Sequence, residues 1–143
     1  MDSSGTETLA EDTLSSRFAQ DRINLSYFFV NSHYSYNEKT YDSQKKKSLE
    51  LFSKDAFATE LKKAIAEKKE VLKRSFNQEA IIENYFLRDN NIIELEVLKT
   101  VFEKGEKTRT VKSRIFLSLS PTSRAKQNPY GFEVTKIKEA KRY

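Results

Sequence analysis

The hydrophobic rhythm of this chain changes once, near Gln78, and does not change back. Before that point apolar residues recur at helical spacing. After it they alternate with polar residues and are rich in β-branched and aromatic types, the period-2 pattern of half-buried strands. Helices followed by strands, with no βαβ alternation, define an α+β domain in which the helices cover one face of a curved sheet.

The first half reads as three helices. Leu14, Phe18, Leu25 and Phe29, with Ile23, Tyr27, Val30 and Tyr34 beside them, predict a long amphipathic helix from Thr8 to about Tyr34. The weak helix formers of Ser32 to Asn37 end or bend it. A shorter helix from Thr40 buries Tyr41, Leu49 and Phe52 and stops at Ser53. Ser53 or Asp55 then N-caps a third helix, which is expected to bury Phe57, Leu61, Ile65 and Leu72 and to expose Lys62, Lys63, Glu67, Lys69 and Glu70.

The second half reads as four strands. Glu79 to Arg88 is the first, and Asp89-Asn90-Asn91, which tolerate left-handed backbone, turn the chain. Ile92 to Glu103 follows with Ile93, Leu95, Val97 and Val101 on one face. Lys104-Gly105-Glu106 turns again into Thr108 to Leu119, whose inner face carries Val111, Ile115, Leu117 and Leu119. Ser120-Pro121 ends that strand, Thr122 to Gln127 is a polar loop, and Phe132 to about Glu139 is the last strand. Consecutive long strands form an antiparallel meander most simply.

Glycine and proline are scarce, with three and two in 143 residues. Two of the five stand in Asn128-Pro129-Tyr130-Gly131-Phe132. Asn128 can bond its own downstream backbone, Pro129 fixes φ, and Gly131 permits φ > 0 before the alternation of Phe132 and Val134 begins.

Composition narrows the function. The length suits one compact domain, with residues 1–7 expected as a disordered edge and 8–143 as the folded unit. Without cysteine there is no disulfide framework, thiolate metal site or thiol nucleophile. A net charge of +5 favours acidic partners in general, yet 21 acidic residues are interspersed with the basic ones, so direct nucleic-acid contact is not expected. The longest apolar run, Tyr27 to Val30, is far short of the roughly 20 residues that cross a bilayer.

Candidate chemistry is sparse. His33, Glu83, Asp89, Glu94 and Glu96 are the groups that could face a hollow between sheet and helices. Glu94 and Glu96 share a face, but Ile93, Leu95 and Val97 suit the interior better, so these carboxylates are expected in solvent. His33, the single histidine, reads as a polar residue at the end of the first helix rather than as a base or ligand. No phosphate loop or Gly-x-Ser-x-Gly elbow is present. No catalytic residue, cofactor or metal site is assigned. Ten Phe and seven Tyr are read as core rather than as stacking platforms for single-stranded nucleic acid.

Element order and the run Asn128 to Thr135 together resemble the periplasmic domain of the inner-membrane assembly subunit of type IV secretion systems, the eighth VirB component. Phe29-Val30 through Tyr36, followed by Tyr41-Asp42, resembles that family's stretch at the end of the first helix, with His33 and Tyr34 standing where an Arg-Glu pair would be. The resemblance covers about Thr8 to Tyr143. It implies a nuclear-transport-factor-like fold, no catalysis, and a hub that forms a weak homodimer and contacts other channel subunits. It also implies a single-pass anchor in the bacterial inner membrane ahead of this sequence, with the domain in the periplasm. Asn128, Pro129, Tyr130, Gly131 and Phe132 would supply the interface, with Phe29, Val30, His33 and Tyr36 as its helix side. The competing readings are a small-ligand binder or enzyme of the same cone-like fold, favoured by a polar pocket, and a basic nucleic-acid module.

Overall fold

The structure, a computed structural model, describes the backbone of residues 3–142 and the side-chain surroundings of residues 16–140. The expected edge at residues 1–7, and Leu14, fall on positions whose side chains lie outside the described residues. The elements are α1 (Ser3–Tyr34), β1 (Tyr36–Asn37), α2 (Tyr41–Leu49), α3 (Lys54–Arg74), β2 (Phe76–Leu87), β3 (Ile92–Glu103), β4 (Glu106–Pro121) and β5 (Phe132–Arg142). All strand pairs are antiparallel and adjacent in sequence order, giving the expected meander.

The sheet has five strands where four were expected. The extra one, β1, pairs only Tyr36 with Gln78 and Asn37 with Asn77, too short a stretch to leave a period in the sequence. The two hairpin turns form where expected. Asn90 and Asn91 take φ of 61° and 56°, and Lys104 and Gly105 take 52° and 83° between the paired Glu103 and Glu106, the two left-handed residues of a tight hairpin. Register shifts between Ile82 and Asn84, Val101 and Phe102, and Ser118 and Leu119 bend the ladder, which curls the sheet around α1.

Leu25, Phe29 and Val30 of α1 press against Ile93, Leu95 and Val97 of β3, Ile115, Leu117 and Leu119 of β4, and Val134 of β5. Leu51 and Phe52, from the turn after α2, close the end of this core. Each fully buried aliphatic or aromatic side chain contributes about 2 kcal/mol of transfer free energy. Val134 also ties the last strand to the helices, because its N–H donates to the Leu51 carbonyl at 2.8 Å and its carbonyl accepts from the Ser53 N–H at 2.8 Å.

Ser53 is the N-cap of α3, its hydroxyl accepting from the Ala56 N–H at 3.4 Å. Lys62, Lys63, Lys69 and Glu70 of α3 are exposed as expected, but its apolar stripe faces outward instead of inward. Glu60, Ala64 and Val71 are buried, whereas Phe57, Leu61, Ile65 and Leu72 are exposed. The cause lies at the end of α1. Its last carbonyls need donors, and α2 and β2 supply them as side chains: Gln44 donates to Asn31 and Ser35, Lys45 to His33 at 2.7 Å, and Gln78 to Tyr34. Lys45 is thereby buried with its charge and needs a carboxylate nearby. Glu67 of α3 provides it at 2.9 Å, which requires the Glu60 and Glu67 side of α3 to turn inward.

Candidate functional site: a locked turn and a polar cleft

Two places carry groups of functional interest. The first is the turn before β5. Asn128 is 7% exposed, and its side chain works in both directions: Nδ2 donates to the Phe132 carbonyl at 2.7 Å and Oδ1 accepts from the Tyr130 N–H at 3.2 Å. Gly131 has φ of 77°, in the left-handed region that favours glycine. Arg124 clamps the turn, donating to the Pro129 carbonyl and, at 2.5 Å, to Asp21 of α1. Phe132 is buried and meets Phe18 edge-on, and Tyr130 leans on Phe28 with ring centres 5.7 Å apart. Pro129 and part of Tyr130 face outward on this braced base.

The helix-side residues are placed differently. Phe29, Val30, His33 and Tyr36 are 0, 1, 8 and 8% exposed. Their side chains belong to the interior and offer a partner almost no surface, because this part of α1 packs on the core, whereas Phe18 and Tyr27 of the expected apolar face stay exposed. Of the nine residues named for the interface, Pro129, Tyr130 and Gly131 remain at the surface.

The second place is a polar cleft of about 230 Å³ between the end of α1, α2, α3 and the sheet, lined by His33, Tyr34, Lys45, Glu60, Lys63, Glu67 and Glu139 among others. Among the sequence candidates only His33 reaches it. Glu83 and Asp89 are exposed. Glu94, expected in solvent, is 6% exposed on the outer face of the sheet, where Arg88 and Arg114 approach its two oxygens at 3.4 and 3.5 Å. Glu96 is half-buried on that same outer face. The remaining cleft residues were missed, although Glu60 and Glu67, seven apart with Ala64 between them, do share one helical face in the sequence.

The cleft's charges are matched pairwise: Lys45 with Glu67, Lys63 with Glu60 at 3.3 Å, and Lys99 with Glu139. Burial pulls the Lys45 ammonium below its ordinary pKa, and Glu67 acts against that pull. Its Nζ also lies 5.4 to 5.9 Å from the ring centres of Tyr34, Tyr36 and Tyr41, a cation–π cage. Burial, reinforced by nearby carboxylates, pushes the Tyr34, Tyr36 and Tyr41 phenols up, so they stay protonated.

His33 stacks on Phe29 at 4.7 Å, and its Nδ1 lies 2.9 Å from the Ser48 hydroxyl. That hydroxyl donates to the Lys45 carbonyl, so the hydrogen-bond network assigns the proton to Nδ1. Burial first, then Lys45, Lys99 and Lys63, hold its pKa well below 6.5. With the folded pKa below the unfolded one, the unfolded chain binds the proton first, so stability is intact above about pH 6.5 and is lost as pH falls. Between about pH 7 and pH 5.5 wild type should lose about 1 kcal/mol more than His33→Gln does. Urea unfolding at both pH values checks this, and equal losses would contradict a neutral His33 in the fold.

No family model matches the chain, and no curated protein matches its sequence. Solved structures do match. The soluble domain of TrwG of the type IV secretion machinery from Bartonella grahamii aligns with a TM-score of 0.72 and 13% identity, over 87% of this chain and 94% of that one. Agrobacterium tumefaciens VirB8 aligns with a TM-score of 0.74 and 11% identity over 87% and 94%. CagV, a VirB8 homolog of the Helicobacter pylori type IV secretion system, aligns with 0.59 and 15% over 82% and 95%. The fold is therefore the nuclear-transport-factor-like one of these domains: three helices on a curled antiparallel sheet. Within it, the chain has the architecture of the VirB8-like domains of type IV secretion systems.

Proposed function

We propose that the chain is the periplasmic domain of a VirB8-type subunit of a bacterial type IV secretion system, held at the inner membrane by a single apolar segment of its parent protein. It works without catalysis, as a hub that pairs weakly with itself and docks other channel subunits during transfer of DNA or protein. The observation that carries this is the braced turn. Pro129 and Tyr130 are presented outward while Asn128, Arg124, Asp21 and Phe28 hold the backbone behind them. A preorganised aromatic turn loses little entropy on docking, and a small patch of this kind gives affinities on the order of micromolar. Sedimentation of the chain over a concentration series tests the reading. A wild type that remains monomeric at high concentration would sink the self-association on which it rests.

A second reading, a small-ligand binder, draws on the polar cleft, where His33 Nε2 has no hydrogen-bond partner among the described residues. Two magnitudes weigh against it. The cleft, at about 230 Å³, is smaller than the roughly 300 to 1,000 Å³ of ordinary ligand sites. Its lysines and glutamates already satisfy one another, so a charged ligand would have to break an ion pair to enter. A cleft built for structure should tolerate Lys63→Ala, whose side chain is 65% exposed, with full secretion activity. A severe transfer defect in that folded variant would move the site into the cleft.

A further inference from the structure

The outward face of α3 is apolar and has a groove beside it. Phe57, Leu61, Ile65 and Leu72 are 40, 37, 56 and 48% exposed. At about 1.5 Å per residue their stripe is roughly 23 Å long, about four helical turns. Between it and α2 runs a cavity of about 460 Å³ with Tyr41, Leu49 and Ala64 along its floor. A concave trough between two helices takes the ridge of a third helix, whereas a flat lipid surface cannot enter it.

The rim of this trough is basic. Lys46 and Lys68 line it, and Lys54, Lys62, Lys69 and Lys73 are exposed along α3. Asp42 and Lys68 pair at 2.8 Å and Glu50 stands against Lys46, so the excess positive charge comes from the exposed lysines of α3, which outnumber its exposed acids Asp55 and Glu70. The complementary occupant is an acidic helix about four turns long with one apolar side.

The chain contains such a segment. Residues 1–15 carry Asp2, Glu7, Glu11 and Asp12 and no lysine or arginine, a formal side-chain charge of −4 from four acids and no bases. The backbone is helical from Ser3, and the sequence sets Leu9, Ala10 and Leu14 among these acids. This segment cannot fill its own groove. α1 is one continuous helix whose opposite end lies beside α2, where Gln44 bonds Ser35, and about 39 Å of helix separates residue 9 from residue 35.

We propose that the acidic first turns of α1 from one copy dock into the lysine-rimmed α2–α3 groove of another copy. The contact is head-to-tail, using two different surfaces. It is therefore distinct from the self-complementary pairing proposed through the Pro129 turn, and it does not depend on that pairing.

The test uses a fluorescently labelled peptide of residues 1–16, titrated with the whole chain and read by anisotropy. Saturable binding is expected, weakened at least tenfold by Ile65→Glu. Replacing Glu7, Glu11 and Asp12 of the peptide by lysine should weaken it similarly, as should raising salt from about 0.05 M to about 0.5 M, where exposed charges are screened. Ile65 is largely exposed, so Ile65→Glu should fold, which circular dichroism confirms. Tyr130→Asp, which disables the other contact, should bind the peptide as wild type does. Absence of saturable binding, or equal binding by Ile65→Glu, overturns the proposal. Cosedimentation of the chain with phosphatidylglycerol vesicles that depends on Ile65, without peptide binding, likewise overturns it and assigns the face to lipid.

Discussion

Lys45→Ala is expected to destabilise the domain by about 3 kcal/mol, the lower end of what breaking a buried ion pair costs, equivalent to a fall in Tm of roughly 10 °C for a chain of this size. Three losses combine. Glu67 keeps a charge that is only partly solvated, its side chain being 41% exposed. The His33 carbonyl at the end of α1 loses a donor 2.7 Å away, and the rings of Tyr34, Tyr36 and Tyr41 lose the ammonium and the methylene stem between them. Lys45→Met restores the stem alone and should recover about half of the loss. Denaturant unfolding of the variants decides the matter: a Lys45→Ala protein within about 1 kcal/mol of wild type would show that the buried lysine is incidental.

Gly131→Arg is expected to weaken self-association at least tenfold while leaving the fold intact. At φ of 77° any residue with a Cβ is strained by about 1 kcal/mol, well within the stability of an ordinary domain. The larger effect is local. A Cβ at this position lies in ordinary contact, 3.4 Å from the Arg124 guanidinium, and the second guanidinium that the new arginine carries brings like charge against the clamp joining the Pro129 carbonyl to Asp21. Tyr130→Asp acts from the other side by removing the ring packed on Phe28. Sedimentation of wild type and both variants across the same concentrations provides the measurement, and variants that associate as strongly as wild type would take the turn out of the interface.

Much of the architecture was legible because it rests on local rules. The Ile92–Glu103 strand, the two hairpin turns and the Ser53 cap follow from alternation, left-handed residues and a hydroxyl before a helical pattern. What was not legible depends on distant partners. Periodicity shows that Phe57, Leu61 and Ile65 share a side of α3, but not which side is in. That choice is made by Lys45, which α1 draws into the interior and which Glu67 must then accompany. Alternation places Glu94 on the outer face of the sheet and so predicts a solvated carboxylate, and nothing local announces that Arg88 and Arg114 cover it. The turn at Asn128 to Phe132 was recognisable from its scarce glycine and proline. Its brace was not, since Asp21 and Arg124 stand 103 residues apart. The polar cleft escaped for the same reason, being assembled from four elements with no common motif.

The tie between Val134 and the Leu51–Ser53 turn bears on when the molecule becomes competent to associate. A chain made from its N-terminus completes all three helices and four strands before β5 exists. Until β5 arrives, the Leu51 carbonyl and Ser53 N–H lack their partner, and Leu119 on β4 lacks Val134 beside it. The Pro129 turn is set only when that last strand zips into place, so a nascent or C-terminally clipped chain would lack the surface proposed for pairing. Under the proposed pairing, order of synthesis would act as a quality check, since the strand that finishes the fold also sets the turn.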